Sequence, residues 1–279
     1  MSLLRECIII GGKASGGHVL GKTRDRNYSP RLRLVRDIIN GLEVVYLHDL
    51  STDYLEGMNE KGIGIINAAL LVSDDEKAAN AFMNRQKKKG NSNDGPRIKR
   101  ALGMPKLNKC IKSIVGYDTG LKGHTFVGSP DSLYSVEMTS KHNPLVTKLD
   151  PSTGFDIRTN HGEDHQAAGY SPETSPDDYL SSKIRKATAH VALAGVDNHE
   201  ELMPALTKQT FEPASNMNMR RTTDNMRSSS QIMMHLDKLE FILYLIPEEA
   251  KYVGLMDKTP DNHEPVITVR IFEYNKQHA

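Results

Sequence analysis

Tryptophan is absent from the 279-residue sequence, phenylalanine occurs six times and cysteine only twice. Two cysteines cannot build a disulfide framework, so we expect a packed core of aliphatic side chains and a reducing compartment. No apolar run approaches the roughly 20 residues of a membrane-spanning helix, and the opening MSLLREC lacks the apolar segment of a secretory signal. Charge of one sign is also lacking, because the formal net charge is +1. These absences argue against a nucleic acid or a membrane as partner, and they predict a soluble, cytoplasmic protein.

Short apolar runs bounded by Gly, Asn, Asp and Pro dominate what is present, and they predict β-strands. The predicted strands are Cys7–Gly12, His18–Arg24, Glu43–Leu47, Gly62–Ala68, His124–Val127, Leu133–Thr139, Asp156–Thr159, Gln231–Leu236, Leu239–Ile246, Ala250–Leu255 and Val266–Tyr274. Apolar residues at helical spacing predict helices over Asp74–Gln86, Pro105–Gly116 and Tyr179–Leu193. Antiparallel strands early and late, with helices between them, favour an α+β fold over alternating βαβ units.

Two polar stretches predict exposed loops. Arg85–Arg100 (RQKKKGNSNDGPRIKR) is basic and then rich in Gly, Asn, Ser and Pro, and it lacks the aromatic side chains that would stack on nucleic-acid bases. Glu163–Ser175 is the second stretch. His161 and His165 have the spacing of a helical zinc pair, but Gly162 and the preceding strand favour a loop. We therefore expect no metal and no cofactor.

The stretch Gly16–Thr23 reads GGHVLGKT and fits the phosphate-loop pattern G-x-x-x-x-G-K-[ST]. A working phosphate loop needs a helix directly after it, because the helix N-terminus supplies the amides that hold the phosphate. Here Asn27, Ser29 and Pro30 disfavour that helix. A nucleotide binder is therefore the less favoured alternative, and a β-hairpin with its turn at Lys13–Gly17 is the better prediction.

The predicted hairpin places a cysteine among charged groups. A turn centred just after Ser15 puts Cys7 opposite Arg24, with Lys22 and Asp25 close by. By strand alternation, the lysine and the arginine share one face of the strand. Cationic neighbours favour the reactive thiolate form of a cysteine. The competing interpretation is a buried core cysteine, which we also expect for the other cysteine of the chain.

Cys7, followed by a hairpin that ends in Gly21–Asp25 (GKTRD), resembles the start of the cysteine-type N-terminal-nucleophile (Ntn) hydrolases. This type includes penicillin acyltransferase, the bile-salt or choloylglycine hydrolases, penicillin V acylase and acid ceramidase. Other segments are similar to the family's motifs and follow in the family's order. They are Gly57–Gly64 (GMNEKGIG), Ile66–Leu70 (INAAL), Tyr134–Thr139 (YSVEMT), Arg158–His161 (RTNH), Ser181–Arg185 (SSKIR) and, more loosely, Arg227–Met233 (RSSSQIM).

The resemblance implies a four-layer αββα sandwich, formed as a single domain by residues 7–279 after a short leader of residues 1–6. It implies that autocatalytic removal of Met1–Glu6 frees Cys7, whose thiol becomes the nucleophile and whose own α-amine becomes the general base. The implied reaction is hydrolysis of, or acyl transfer from, a small-molecule linear amide that is not a peptide. A homo-oligomer is compatible with this family.

The resemblance also implies roles for individual residues. Asn160 would donate a hydrogen bond to the oxyanion of the tetrahedral intermediate, with Asn67 as a second candidate. Asp25 would hold the Cys7 amine, and Arg185 is similar to a site arginine of the bile-salt hydrolases.

One position departs from the family's pattern. Where the family has arginine after the glycine of the second strand, this sequence has Lys22, and Arg24 follows two residues later. Either residue can supply the positive charge. A catalytically silent protein of the same fold, with a binding or structural role, therefore stays open as the alternative.

Overall fold

Two β-sheets lie at the centre of the computed structural model, which describes residues 5–70, 94–116, 122–139, 143–166, 168–208, 210–212, 215–223, 226–246, 251–255 and 266–270. In chain order the strands are β1 (Arg5–Ala14), β2 (Gly17–Arg26), β3 (Arg31–Ile39), β4 (Leu42–Asp49), β5 (Tyr54–Asn59), β6 (Gly64–Ala68), β7 (Gly123–Ser129), β8 (Ser132–Met138), β9 (Leu145–Lys148), β10 (Asp156–Arg158), β11 (Arg227–His235), β12 (Glu240–Leu245), β13 (Lys251–Leu255) and β14 (Val266–Arg270). The first sheet has the order β10-β1-β2-β11-β12-β14, and the second has the order β13-β3-β4-β5-β6-β7-β8-β9. Neighbouring strands are antiparallel, apart from the parallel pair β13 and β3.

Helices cover the outer face of each sheet. They are α1 (Asp94–Leu102), α2 (Leu107–Ile114), α3 (Pro176–Leu193) and α4 (His199–Thr207). Apolar residues of α3 and α4 pack on the first sheet, and those of α1 and α2 pack on the second. Between the sheets, Leu20 and Ile232 of the first meet Val45 and Phe126 of the second in another apolar cluster. The α+β fold with helix, sheet, sheet and helix layers is therefore confirmed.

The predicted hairpin consists of β1 and β2. Ser15 and Gly16 both have positive φ, at 50° and 79°, as two-residue hairpin turns require. The ladder pairs Cys7 with Arg24, which is the predicted register. GGHVLGKT lies in the turn and in β2, and a strand follows where a phosphate loop would need a helix. The phosphate-loop alternative is therefore wrong.

The expectation of a solvated loop over Arg85–Arg100 is wrong for its second half. Helix α1 begins at Asp94 and buries Ile98 against the second sheet. Gly95 and Pro96 made this segment look irregular, but proline is tolerated in the first turn of a helix because its missing N–H has no partner there. The composition of a segment therefore concealed a helix that packing stabilises.

Other elements were also not predicted from the sequence. In β3, exposed Arg31 and Arg33 alternate with buried Leu32 and Leu34, as expected for an amphipathic strand. Strands β5 and β9 were not predicted either, nor was helix α4, which contains Pro204. The predicted helix Asp74–Gln86 lies outside the described residues. None of the helices described is long and apolar enough to cross a membrane.

Candidate active site

Cys7 lies in β1 with a side chain that is 2% exposed, within the apolar cluster between the sheets. Because side chains alternate along a strand, its neighbour Glu6 points to the opposite face of the sheet, where it contacts Arg185 of α3. Asp25, which pairs with Glu6 across the hairpin, contacts the same arginine. The site therefore has two parts, one around the thiol between the sheets and one on the side of α3.

The part between the sheets contains a buried ion network. Lys22 Nζ donates to one carboxylate oxygen of Glu56, and Arg24 donates to the other over 2.6 Å and to Asp49 over 3.1 Å. Burial would raise the pKa of Glu56, but Arg24 and Lys22 hold it below its ordinary value. Both cations that the sequence placed near Cys7 therefore pair with carboxylates. Burial lowers the pKa of Lys22, and the nearby Cys7 and Glu56 oppose that shift.

Arg26 is the cation that contacts the thiol. Its Nη1 lies 3.7 Å from Cys7 Sγ and donates to the carbonyl oxygen of Glu6 over 3.2 Å and to that of Asp25 over 2.7 Å. Burial alone would lower the pKa of Arg26, but the neighbouring Cys7, Tyr28 and Asp49 groups raise it, so the guanidinium stays protonated. Arg26 was not predicted as a site residue, although strand alternation places it on the same face as Arg24, two positions earlier.

Asn160 connects the two parts of the site. Its Oδ1 accepts from the backbone N–H of Cys7 over 3.2 Å and from Arg185 Nη2 over 3.1 Å. Its Nδ2 donates to the carbonyl oxygen of Ala69 over 2.9 Å, and its backbone N–H donates to Ser182 Oγ over 2.9 Å. Asn160 thus presents an acceptor to the Cys7 nitrogen, whereas the resemblance implied a side-chain donor at this position.

Asp25 is fully buried on the α3 side. Its Oδ1 accepts from Ser228 Oγ over 2.7 Å, while Oδ2 lies 3.4 Å from Arg185 Nη1 and 3.7 Å from Arg221 Nε. Burial raises the pKa of Asp25, and the two arginines oppose the shift without cancelling it. Among the described residues, the carboxylate of Asp25 therefore contacts Ser228 and the two arginines, whereas the Cys7 nitrogen, which the resemblance implied that Asp25 would hold, binds Asn160.

The side chain of Glu6 fills a buried site on the same face. Its Oε2 accepts from Arg185 Nη2 over 2.9 Å and from Arg221 Nη2 over 2.8 Å, and its Oε1 accepts from the hydroxyl of Tyr170 over 2.8 Å. Tyr170 is only 8% exposed, so the prediction of an exposed loop over Glu163–Ser175 is wrong in its middle. Neither Arg221 nor Tyr170 carried a signal in the sequence.

Asn67, the second oxyanion candidate, uses its amide elsewhere. Its Nδ2 donates to Thr125 Oγ1 over 2.8 Å and to the carbonyl oxygen of Lys122 over 3.3 Å. Its own carbonyl oxygen accepts from Lys22 over 2.6 Å. Asn67 therefore belongs to the ion network between the sheets, and its side-chain donors are already engaged.

The segment that carries Asn160 is fixed by groups from two other motifs. Glu137 of β8 accepts from three consecutive backbone N–H groups, those of residues 163–165, over 2.9 to 3.1 Å. Ser182 Oγ of α3 contacts both Thr159 Oγ1 and His161 Nδ1, over 2.9 and 2.8 Å. The motifs YSVEMT, RTNH and SSKIR thus form one hydrogen-bonded unit. The two histidines lie outside the helices, as predicted, but His161 is buried, so the expectation of a solvated loop is wrong there.

Comparison with known proteins gives a likeness of structure only, since no protein-family model and no curated protein sequence matches the chain. The Caenorhabditis elegans ortholog of N-acylethanolamine-hydrolyzing acid amidase superposes with a TM-score of 0.60 and 14% identity, over 82% of this chain and 93% of that one. A variant of the conjugated bile acid hydrolase from Clostridium perfringens gives a TM-score of 0.52 and 13% identity, over 97% and 93% of the two chains. The chain therefore has the α+β fold of the Ntn hydrolases.

Proposed function

We propose that this protein is an amidohydrolase or acyltransferase that acts on linear amides through the thiol of Cys7. The observation that carries the proposal is the placement of the Glu6–Cys7 peptide bond. Arg26 donates to its carbonyl oxygen, and Asn160 accepts from its N–H. The thiol of Cys7 lies beside the same guanidinium. An attacking group, an oxyanion donor and a leaving nitrogen with a partner are thus assembled on one amide.

The first reaction in this proposal is self-cleavage. Cys7 Sγ attacks the carbonyl carbon of Glu6, and the carbonyl oxygen becomes an oxyanion that Arg26 stabilises. The carbon–nitrogen bond then breaks, and the nitrogen of Cys7 takes up the proton that the thiol has lost. Water hydrolyses the resulting thioester, which releases the carboxylic acid of Glu6 and restores the thiol. The product begins with Cys7 and has a free α-amine.

That α-amine serves as general base for the second reaction. An α-amino group titrates near 7.7–8.0, so it can accept the thiol proton at neutral pH, as in N-terminal threonine nucleophiles. Asn160, whose Oδ1 already accepts from the Cys7 N–H in the uncut chain, holds this nitrogen. The thiolate attacks a substrate amide, the amine half leaves with a proton, and water or a second amine takes the acyl group from the thioester. Each oxyanion donor contributes about 2.7–4 kcal/mol to such a step.

The test combines intact mass with a cysteine-reactive amide analogue. The wild-type chain is incubated between pH 4 and pH 8, and its mass should fall by that of everything preceding Cys7. Cys7→Ala should stay uncut and inactive toward amides. Cys110→Ala is the matched control, because this second cysteine lies on the buried face of α2 in the outer layer, and burial raises the pKa of its thiol. It should be cut and labelled like wild type.

Two results would contradict the proposal. A wild-type chain that is never cut across this pH range would support the catalytically silent alternative. A processed Cys7→Ala chain with full amidase activity would remove the cysteine from the mechanism while leaving an enzyme of another kind.

A further inference from the structure

We propose that Arg185, Arg221 and Tyr170 form a carboxylate-binding subsite, and that the processed protein uses it to recognise amides whose acyl half is a short dicarboxylic acid of the glutaryl type. This inference rests on the proposed function, because the subsite becomes free only when Glu6 leaves. In the uncut chain the carboxylate of Glu6 occupies it and stands for the carboxylate of a substrate.

The subsite is built as a buried receptor for one carboxylate. Both oxygens of the Glu6 carboxylate are bound, one by the two guanidinium groups and the other by the tyrosine hydroxyl, all over 2.8 to 2.9 Å. Arg185 is fully buried, and Arg221 is 3% exposed. The donors are themselves held, since Arg221 Nη2 also lies 3.1 Å from Ser181 Oγ. Such charge-assisted bonds to a carboxylate are the strong class of hydrogen bond.

The charges favour an acid rather than a neutral polar group. Burial alone would raise the pKa of Glu6, but Arg221 and Arg185 hold it below its ordinary value. Burial and the adjacent Glu6 carboxylate raise the pKa of Tyr170, so its hydroxyl stays protonated and donates. When Glu6 leaves, the two arginines keep only Asp25 as an anionic neighbour within ion-pair distance among the described residues. A buried cation without a counter-ion is costly, and a substrate carboxylate restores the balance.

The acyl half is identified by the position of Glu6 relative to the bond. In the uncut chain the carbonyl that Cys7 attacks belongs to Glu6, so Glu6 is the acyl half of the first amide that the thiol meets. Three carbon atoms, Cα, Cβ and Cγ, separate that carbonyl carbon from the carboxylate. A glutaric acid monoamide has the same spacing, and it can place its carbonyl at the thiol with its carboxylate on the arginines. Longer or neutral acyl chains do not reproduce both contacts.

The kinetic test uses processed protein, verified by mass, with two 4-nitroanilides of equal chain length. Glutaryl anilide carries the terminal carboxylate, and pentanoyl anilide lacks it. We expect kcat/KM to be about tenfold to a hundredfold higher for glutaryl anilide, the range of charge-assisted hydrogen bonds. Arg221→Gln and Tyr170→Phe should bring the ratio of the two kcat/KM values toward one. Arg220→Gln is the matched control, since this neighbouring arginine is not among the groups that bind Glu6, and it should leave the ratio unchanged.

A second experiment tests the subsite without any catalysis. In the full chain carrying Cys7→Ala, which stays uncut, the further change Glu6→Ala removes Cγ and the carboxylate and leaves a space of the size of acetate. Sodium acetate should raise the Tm of this double variant more than sodium chloride at equal ionic strength. Acetate should have no such effect on Cys7→Ala alone, where Glu6 fills the site, or on the triple variant that adds Arg221→Gln.

The outcomes separate the two proposals. If pentanoyl anilide is cleaved as well as glutaryl anilide by wild type, the subsite is overturned while the amidase stands. If neither anilide is cleaved, the acetate experiment decides, and the absence of acetate-specific stabilisation overturns the subsite. Acetate stabilisation that persists after Arg221→Gln would also overturn it, because the anion would then be bound elsewhere.

Discussion

Arg26 Nη1 donates to the carbonyl oxygen of Glu6 over 3.2 Å. That oxygen belongs to the peptide bond whose cleavage frees Cys7 in the proposed mechanism, so the guanidinium is placed where negative charge develops. The removal of one such donor costs about 10²–10³ in rate. We therefore expect Arg26→Met to slow self-cleavage by roughly that factor, measured as the decay of the uncut mass with time.

The fold should survive this change, because Asp49 keeps its bonds to Arg24 over 3.1 Å and to Tyr28 over 2.9 Å. Arg26→Lys is the matched control and should recover part of the rate, since lysine restores the positive charge but not the planar fork of N–H donors. Self-cleavage of Arg26→Met at the wild-type rate would show that Arg26 does not stabilise the oxyanion.

Glu56 anchors the ion network between the sheets. It is fully buried and binds both Lys22 and Arg24. Glu56→Ala leaves two buried cations with one fewer counter-ion, and removal of one partner of a buried pair typically costs about 3–5 kcal/mol. We expect that loss in the free energy of urea unfolding.

The control is Lys61→Ala, which breaks a surface ion pair with Glu60. The lysine side chain of this pair is 53% exposed, so the change should cost about 0–1 kcal/mol. Equal losses for the two variants would contradict a structural role for the network.

The part of the site that could be predicted from the sequence is the part fixed by short-range rules. A tight turn and the two-residue period of strands determine which residues of a hairpin face each other. That reasoning placed Cys7 opposite Arg24 and put Lys22 on the same face, as observed. It did not determine which cation contacts the thiol. Glu56, which binds Lys22 and Arg24, comes from the other sheet, and the pattern within the hairpin carries no information about it.

The α3 side of the site could not be found in this way. Tyr170 and Arg221 lie in irregular segments, which have no periodic pattern. They follow Glu6 by 164 and 215 positions in the sequence, and only the tertiary fold brings them into contact with it. Arg185 was found through the motif on α3, but its partner arginine has no motif. Charge clusters formed by tertiary contacts between loops leave no local pattern in a sequence.

Acid should destabilise the uncut chain partly through Glu6. Its pKa is held below the ordinary value of 4.5 in the folded state, so its contribution to stability is full above that value and is lost as the pH falls through the folded pKa. In the Cys7→Ala background, the free energy of unfolding should therefore fall less steeply below about pH 4.5 when Glu6→Gln is added. Glu173→Gln, at an exposed position, should leave the slope as it was. Parallel curves for all three chains would show that folding does not lower the pKa of Glu6.

Glu137 should control the order of the segment that carries Asn160. Its carboxylate accepts from the backbone N–H groups of residues 163–165, and in Glu137→Gln one of these acceptors becomes an NH₂ group facing N–H donors. An unsatisfied buried group costs about 1–3 kcal/mol, so amide hydrogen exchange at residues 163–165 should become about fivefold to 150-fold faster. Anilide hydrolysis should also slow in Glu137→Gln, because Asn160 is held through the same loop.

Glu201→Gln, at an exposed position on α4, is the control for loss of charge. Unchanged exchange at residues 163–165 in Glu137→Gln would show that the Glu137 carboxylate is not needed to hold the segment in place.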